Sequence, residues 1–342
     1  LLIERHRYRV WFVLLVCVGL AMGGCWQSNA GSSDERGADG ALKVAVSILP
    51  HRWLVKQLTP EGVTIDVVVV VPPGESAETY QPSDASVTTL LRSDVYFRAG
   101  VPIESSGWFR ALASRDRPVI VDLRDGLTLR AMGDDERHHH GHGHGDHEDD
   151  HGADHEGEDD AGHGDNHADG RDPHSWQAPA MLRRQAATMA GALAAADPVN
   201  ADAYAERLAV VQQRLDAVDV ELRRLLAGRV GQAFLVFHPA WGYFADAYGL
   251  RQVAVEVDGK APGDHELTAF QAEARKLASP VLFVQPQFAG GQAIVIAEAI
   301  GASLVTIDPL GEDVPGQWLK LAKAIAGSAK AGGDVIDDEL LP

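Results

Sequence analysis

Residues 200–227 run for 28 positions without a proline or a glycine, and that stretch limits the folds open to the chain. Tyr204, Leu208, Val211, Leu215, Val218, Leu222 and the Leu225–Leu226 pair recur every three or four positions. They draw one apolar stripe along an amphipathic helix, which would span about 42 Å at 1.5 Å per residue. What flanks the helix explains its length. On the N-terminal side, apolar runs at 43–47, 63–71, 95–98 and 118–122 read as strands, and on the C-terminal side 233–238, 252–257, 280–285 and 303–308 do the same. These runs are rich in Val, Ile and Phe and mostly do not alternate, as expected of strands covered on both faces of a parallel sheet. Segments 84–92, 267–278 and 292–300 read as crossover helices, and 178–195 as a helix that ends near Asp197-Pro198. The expected fold is α/β, with two lobes that each carry a mainly parallel sheet, joined by a long rigid helix. The expected divisions are an N-terminal lobe over 42–198, the connecting helix over 199–227 and a C-terminal lobe over 228–342.

One segment can join neither core. Ten of the fifteen histidines lie between His138 and His167, interleaved with Asp, Glu and Gly. They are His138, His139, His140, His142, His144, His147, His151, His155, His163 and His167. With almost nothing apolar to bury, the stretch is expected to form a disordered loop, 133–170, inserted in the first lobe. Imidazole and carboxylate are common ligands of first-row divalent cations, so the loop reads as a low-affinity metal binder. It also dominates the charge. Fifteen acidic residues and two arginines between Asp134 and Asp172 supply -13 of the net -19. Nothing basic and patterned remains elsewhere to suggest nucleic acid as a partner.

The N-terminus reads as an export signal. Arg5, Arg7 and Arg9 precede a short apolar run, 10–22, that ends at Gly23-Gly24-Cys25. The run is short for a membrane span, and a cysteine after small residues is the pattern of a bacterial lipoprotein cleavage site. Residues 1–24 are therefore expected to be a signal peptide, Cys25 to be lipidated, and 25–41 to be a flexible polar tether. Cys17 would be lost with the signal, which leaves no disulfide and no cysteine metal site. The mature chain is expected outside the cytoplasm, as a cell-membrane lipoprotein or a periplasmic protein.

In open α/β sheets ligands bind beyond the carboxyl ends of the strands. The metal-capable residues at those ends are His238 in FLVFHPAWGYF, Asp308 in LVTIDPLGED, Glu78 in the loop VPPGESAETYQPSD and His174 in DPHSW. Two histidines and two carboxylates drawn from both lobes would suffice for a four-coordinate site. Each also has a plainer role open to it: a hydrogen-bonded structural histidine, a turn-capping aspartate, a solvated glutamate. A metal-dependent hydrolase is the enzymatic alternative, but the one H-E-x-x-H string, 147–151, falls in the polar histidine tract and not on a helical pattern.

Five segments, VPPGESAETYQPSD, RDPHSW, FHPAWGYFADAYGL, EVDGKAPG and VTIDPLGED, occur in an order that resembles the metal-binding solute-binding proteins of ABC transporters, the ZnuA/TroA type. The resemblance covers roughly residues 42–330. It implies two α/β lobes joined by a rigid helix, with one metal ion in the cleft, and a His/Asp-rich loop accompanies many zinc members. By position it assigns metal ligation to His174, His238 and Asp308. The first ligand of the family is a histidine where this chain has Glu78, and VYFRAGVPIES is similar to a branch that lacks that histidine. Glu78 is the first choice for that role because its carboxylate occupies the matching position; the alternatives are His51 in SILPHRW and a site completed by Glu104 or water, and for His51 a place on the surface at a helix start is the favoured reading. Gln285 and Gln287 would sit near the cleft.

The resemblance implies a non-enzymatic, monomeric component that captures zinc, with manganese as the alternative, and hands it to a membrane permease with its ATPase. Two His, one Glu and one Asp carry a ligand charge of -2 and make a harder site than three His and one Asp, which shifts preference toward manganese or iron. The adjacent histidine loop points to zinc. A lipid-anchored adhesin and a metal-storage protein are further alternatives.

Overall fold

The structure, a computed structural model, describes residues 41–132, 170–256 and 263–327. The expected signal peptide, Cys25, the expected tether up to residue 40 and the ten histidines from His138 to His167 lie outside the described residues. No helix among the described residues is long and apolar enough to cross a membrane.

Both expected sheets are present and parallel throughout. In the first lobe β1 (Leu42–Val46), β2 (Ile65–Val69), β3 (Val95–Arg98) and β4 (Val119–Asp122) assemble in the order β2-β1-β3-β4. In the second, β5 (Ala233–Val236), β6 (Arg251–Ala254), β7 (Val281–Val284) and β8 (Ser303–Thr306) assemble as β6-β5-β7-β8. The strand order is the same in both lobes, and the most buried strands, β1 and β5, are central. The long apolar run 63–71 shrinks to five strand residues at a sheet edge. Val70 and Val71 continue past the end of β2, donating to Val46 O and Ser47 O at 2.9 and 3.0 Å.

Nine α-helices lie among the described residues. The sequence signalled α2 (Asp84–Leu90), α4 (Pro179–Ala196), α5 (Ala201–Leu225), α7 (Asp264–Ala274) and α8 (Gln292–Ile300). Four others interleave with them: α1 (Leu49–Leu58), α3 (Gly107–Ala113), α6 (Gly242–Tyr248) and α9 (Val314–Gly327). Proline in the first turn of α1 and α9 obscures them in sequence without harming them, because the first turn has no intrahelical partner for that N–H. α6 and α8 end alike, on Gly249 (φ 64°) and Gly301 (φ 67°). These left-handed positions suit glycine, and Leu250 N and Ala302 N reach back to Ala245 O and Ala297 O in the Schellman pattern before the next strand starts.

Helix α5 is trimmed at both ends relative to the sequence reading, to 25 residues, or about 37 Å. It packs against α1, α4 and α9. Tyr204, Val211, Leu215 and Leu222 are its buried stripe. They belong to one continuous apolar core that also holds β1 and β3 residues of the first lobe and Phe234, Val236 and Phe283 of the second. A separate cluster around Leu235, Leu282, Phe270 and Ile296 fills the remaining face of the second sheet. The helix is thus bonded to both lobes by burial rather than by a flexible link. Polar ties add to it. Trp176 Nε1 and Gln177 Nε2 both donate to Pro309 O (2.8 and 2.7 Å), and Trp318 Nε1 donates to Gln177 Oε1 (3.0 Å).

Candidate metal centre

His238 lies just beyond β5, Glu78 in the loop after β2, and His174 immediately before the short 3-10 turn Ser175–Gln177 that leads into α4. The two lobes bring them together. One ligand atom from each of Glu78, His174 and His238 lies within 4.8 Å of the other two. His238 Nε2 is 2.8 Å from Glu78 Oε1 and 3.4 Å from His174 Nε2. The two imidazole centroids are 5.3 Å apart and their planes meet at 73°. Ser76, Ala77, Gln285, Gln287, Pro309 and Leu310 line the same pocket.

Each imidazole is held from behind. His174 Nδ1 lies 2.9 Å from Asp172 Oδ1, and His238 Nδ1 lies 2.8 Å from Glu256 Oε2. A carboxylate on Nδ1 fixes the ring and the tautomer and turns Nε2 outward as the free donor, an arrangement that supports metal-ligating histidines. Both Nε2 atoms here face one shared point with Glu78. Burial opposes the charged form of His238, but hydrogen bonds and charge from Glu256 and Glu78 outweigh it and raise the pKa to about 9. At neutral pH one proton therefore occupies the centre, between His238 and its acceptors. A divalent cation would take that place by displacing it.

Asp308 stands apart. It lines the adjoining pocket with Pro72, Glu75, Gln287 and Leu310, the last two of which border both pockets. Its Oδ1 accepts from Leu310 N (2.9 Å), and burial raises its pKa against that hydrogen bond. The structure thus gathers three of the four expected ligands and sets the fourth beside them.

The two substitutes for the first ligand are placed elsewhere. His51 does start a helix, α1, but the surface position is corrected: the residue is fully buried. Its Nε2 lies 3.3 Å from Gln185 Oε1, its ring meets Trp176 at 6.1 Å, and burial lowers its pKa to about 4 despite the Gln185 bond. Glu104 is equally buried, and its carboxylate is taken up by Ser47 Oγ, Tyr96 OH (3.1 Å), Ala99 N (3.1 Å) and Gly100 N (2.6 Å). Neither belongs to the three-residue group. Gln285 and Gln287 do border the pocket, where Gln287 Nε2 donates to Gln285 Oε1 (3.2 Å).

Sequence reasoning passed over Asp172 and Glu256, although both stand inside the quoted segments RDPHSW and EVDGKAPG. For Asp172 the D-x-H spacing was the available signal. Glu256 required the register. β5 and β6 run parallel with Val236 opposite Ala254, so two residues further on His238 meets Glu256.

Comparison with known proteins bears on the family of the chain. The family model described as ZnuA, zinc-uptake complex component A periplasmic, matches residues 44–330. The high-affinity zinc uptake system protein ZnuA of Paracoccus denitrificans (strain Pd 1222) is 32% identical over 173 residues, 49% of this chain and 52% of that protein. The chain therefore spans about half the length of the curated relatives it matches. A crystal structure of ZnuA is 28% identical with a TM-score of 0.69, over 85% of this chain and 100% of that one. A zinc-bound ZnuA deletion mutant is also 28% identical, with a TM-score of 0.70 over 86% and 100% of the two chains. With the family model matched across both lobes and across every residue of the centre, the chain belongs to the ZnuA family of zinc-uptake component A proteins.

Proposed function

We propose that the chain is the extracytoplasmic solute-binding component of an ABC importer and that it captures a divalent metal ion, zinc before manganese, at Glu78, His174 and His238. The observation that carries this reading is the pair of imidazoles whose Nδ1 atoms are held by carboxylates and whose Nε2 atoms lie 3.4 Å apart beside Glu78. Two nitrogens and a carboxylate suit zinc, and added oxygen donors make manganese the alternative. Asp308, at the wall of the adjoining pocket, is the fourth ligand in this reading. Its side chain would turn from Leu310 N toward the metal. Binding releases the proton held at His238, and the family's role supports capture and delivery rather than catalysis.

The loaded protein would then dock on a membrane permease, with a separate ATPase supplying the energy for entry. Lipidation at Cys25 would hold the monomer at the membrane, and the His138–His167 tract would collect metal weakly and raise its concentration near the centre. Nothing among the described residues favours the adhesin, storage or hydrolase alternatives. Metal analysis of the purified protein lacking residues 138–167 tests the reading. One metal per chain, lost in His238→Ala, is expected. A protein that binds none, or that keeps its metal in His238→Ala, would overturn it.

A further inference from the structure

Asp172 does more than orient His174. Its Oδ1 accepts from both the backbone N and Nδ1 of His174, each at 2.9 Å, while its Oδ2 lies 3.3 Å from Arg130 Nη1. Arg130 and Asp172 are also joined through the backbone, Asp172 N donating to Arg130 O at 3.0 Å, next to the antiparallel bridge Ala131↔Arg171.

The second lobe closes on this pair. The Tyr243 hydroxyl, from α6, donates to Asp172 O (2.8 Å) and accepts from Arg130 N (3.2 Å). The Arg130 guanidinium reaches Asp246 Oδ2 (3.1 Å) and lies 6.0 Å from the Tyr243 ring centre. Gly242 makes the approach feasible. A Cβ there would fall 1.3 Å from Arg130 Nη1, so any side chain would have to displace the guanidinium.

We propose that Arg130 and Tyr243 are positioning residues for metal release. They form a clamp between the lobes that makes the orientation of His174 depend on α6 staying in place. Pulling α6 away removes the tyrosine hydroxyl from both strands of the bridge and the Asp246 carboxylate from the guanidinium. Asp172 then loses its fixed position, and His174 loses the partner that aims its Nε2. A permease that prises the lobes apart at this edge would loosen the metal without touching a ligand. The proposal rests on the metal-site reading above.

The test is the rate of zinc transfer from the full chain to a chromogenic chelator. The phase absent from His238→Ala marks the cleft metal. Tyr243→Phe, Gly242→Ala and Arg130→Ala are each expected to speed that phase by about ten- to a hundred-fold, the range for partners behind metal ligands. The zinc-induced rise in Tm should shrink in Tyr243→Phe, over and above the loss of Tm that the missing hydrogen bonds cause in the metal-free form. A purely structural role would instead lower both Tm values equally and leave the release rate alone. Release within twofold of wild type in Tyr243→Phe, which loses a single oxygen, overturns the clamp even if Arg130→Ala fails to fold. Failure of the site itself is separate: wild type and His238→Ala would then release zinc identically.

Discussion

The two imidazoles of the centre look alike from the metal's side and differ from behind. His174 is backed by Asp172, whose carboxylate is buried, shared with Arg130 and bonded through its own backbone to the second lobe. His238 is backed by Glu256, which is more exposed and is placed by strand register rather than by a local motif. The first lobe's histidine is thus supported by a carboxylate whose charge is partly balanced by a guanidinium. The second lobe's histidine draws on Glu256 and Glu78 together, and its proton is held up to about pH 9. One half of the site is built for orientation, and the other for basicity.

The pH dependence should expose this difference most strongly. Because His238 holds its proton up to about pH 9 in the folded metal-free protein, metal must displace it at every lower pH. Affinity is expected to fall by about tenfold per pH unit below 9, roughly a hundredfold by pH 7. A histidine at its ordinary value would put that fall near pH 6. Zinc affinity that is level between pH 7 and 9 would refute the paired-carboxylate account of His238. The same shift predicts how the metal-free protein melts. A raised histidine pKa stabilises the fold fully below the unfolded value of about 6.5, and that contribution is lost as pH rises through 9. Tm of the metal-free form should therefore decline between pH 6.5 and 9.

Removing one carboxylate at a time sharpens the contrast. Glu256→Gln and Asp172→Asn should each weaken zinc binding by about ten- to a hundred-fold. Only Glu256→Gln should move the pH profile, toward lower pH, because it removes part of what holds the His238 proton. Asp172→Asn should lower affinity and leave the profile in place. Titrations in which both variants shift the profile equally would erase the distinction between the two halves.

The smallest effect is expected at the more exposed tie between the lobes. Arg52 pairs with both oxygens of Glu312, and Lys56 Nζ lies 2.6 Å from Glu312 Oε1. These groups are substantially solvated, so Glu312→Gln should change stability by less than about 1 kcal/mol and zinc release by less than twofold. Thermal melts and chelator kinetics read both. A release rate that rises as much as in Tyr243→Phe would mean that the lobes are held generally, not at the His174 edge.

Much of this was legible before the structure. The strands announced themselves through short runs rich in Val, Ile and Phe, most deeply buried in the central β1, β3, β5 and β7, and the strand ends pointed to His238 and Asp308. The same reading offered Glu78 and His174, and the order of five segments set Glu78 where the family has a histidine. What failed was what depends on pairing or tertiary cover. His51 looked like a surface residue because nothing in SILPHRW reveals that Gln185 and Trp176 close over it. Glu256 was invisible because its partner is set by the β5–β6 register, and Arg130 because its partners lie 42 and 116 residues further on. The histidine tract was the most conspicuous feature of the chain and lies outside the described residues, among which Glu78, His174 and His238 are the group gathered.

The bridge between Ala131 and Arg171, reinforced by Met132 N donating to Gly170 O at 3.0 Å, has a consequence for how this chain can vary. It joins the backbone on either side of residues 133–169, so that His174 is tethered to the frame of the described residues. Closing a chain twice as long at that bridge would add only about 0.6 kcal/mol of entropy. Changes in length between the two sides of the bridge are therefore expected to cost little, while His174, three residues past Arg171, keeps its place.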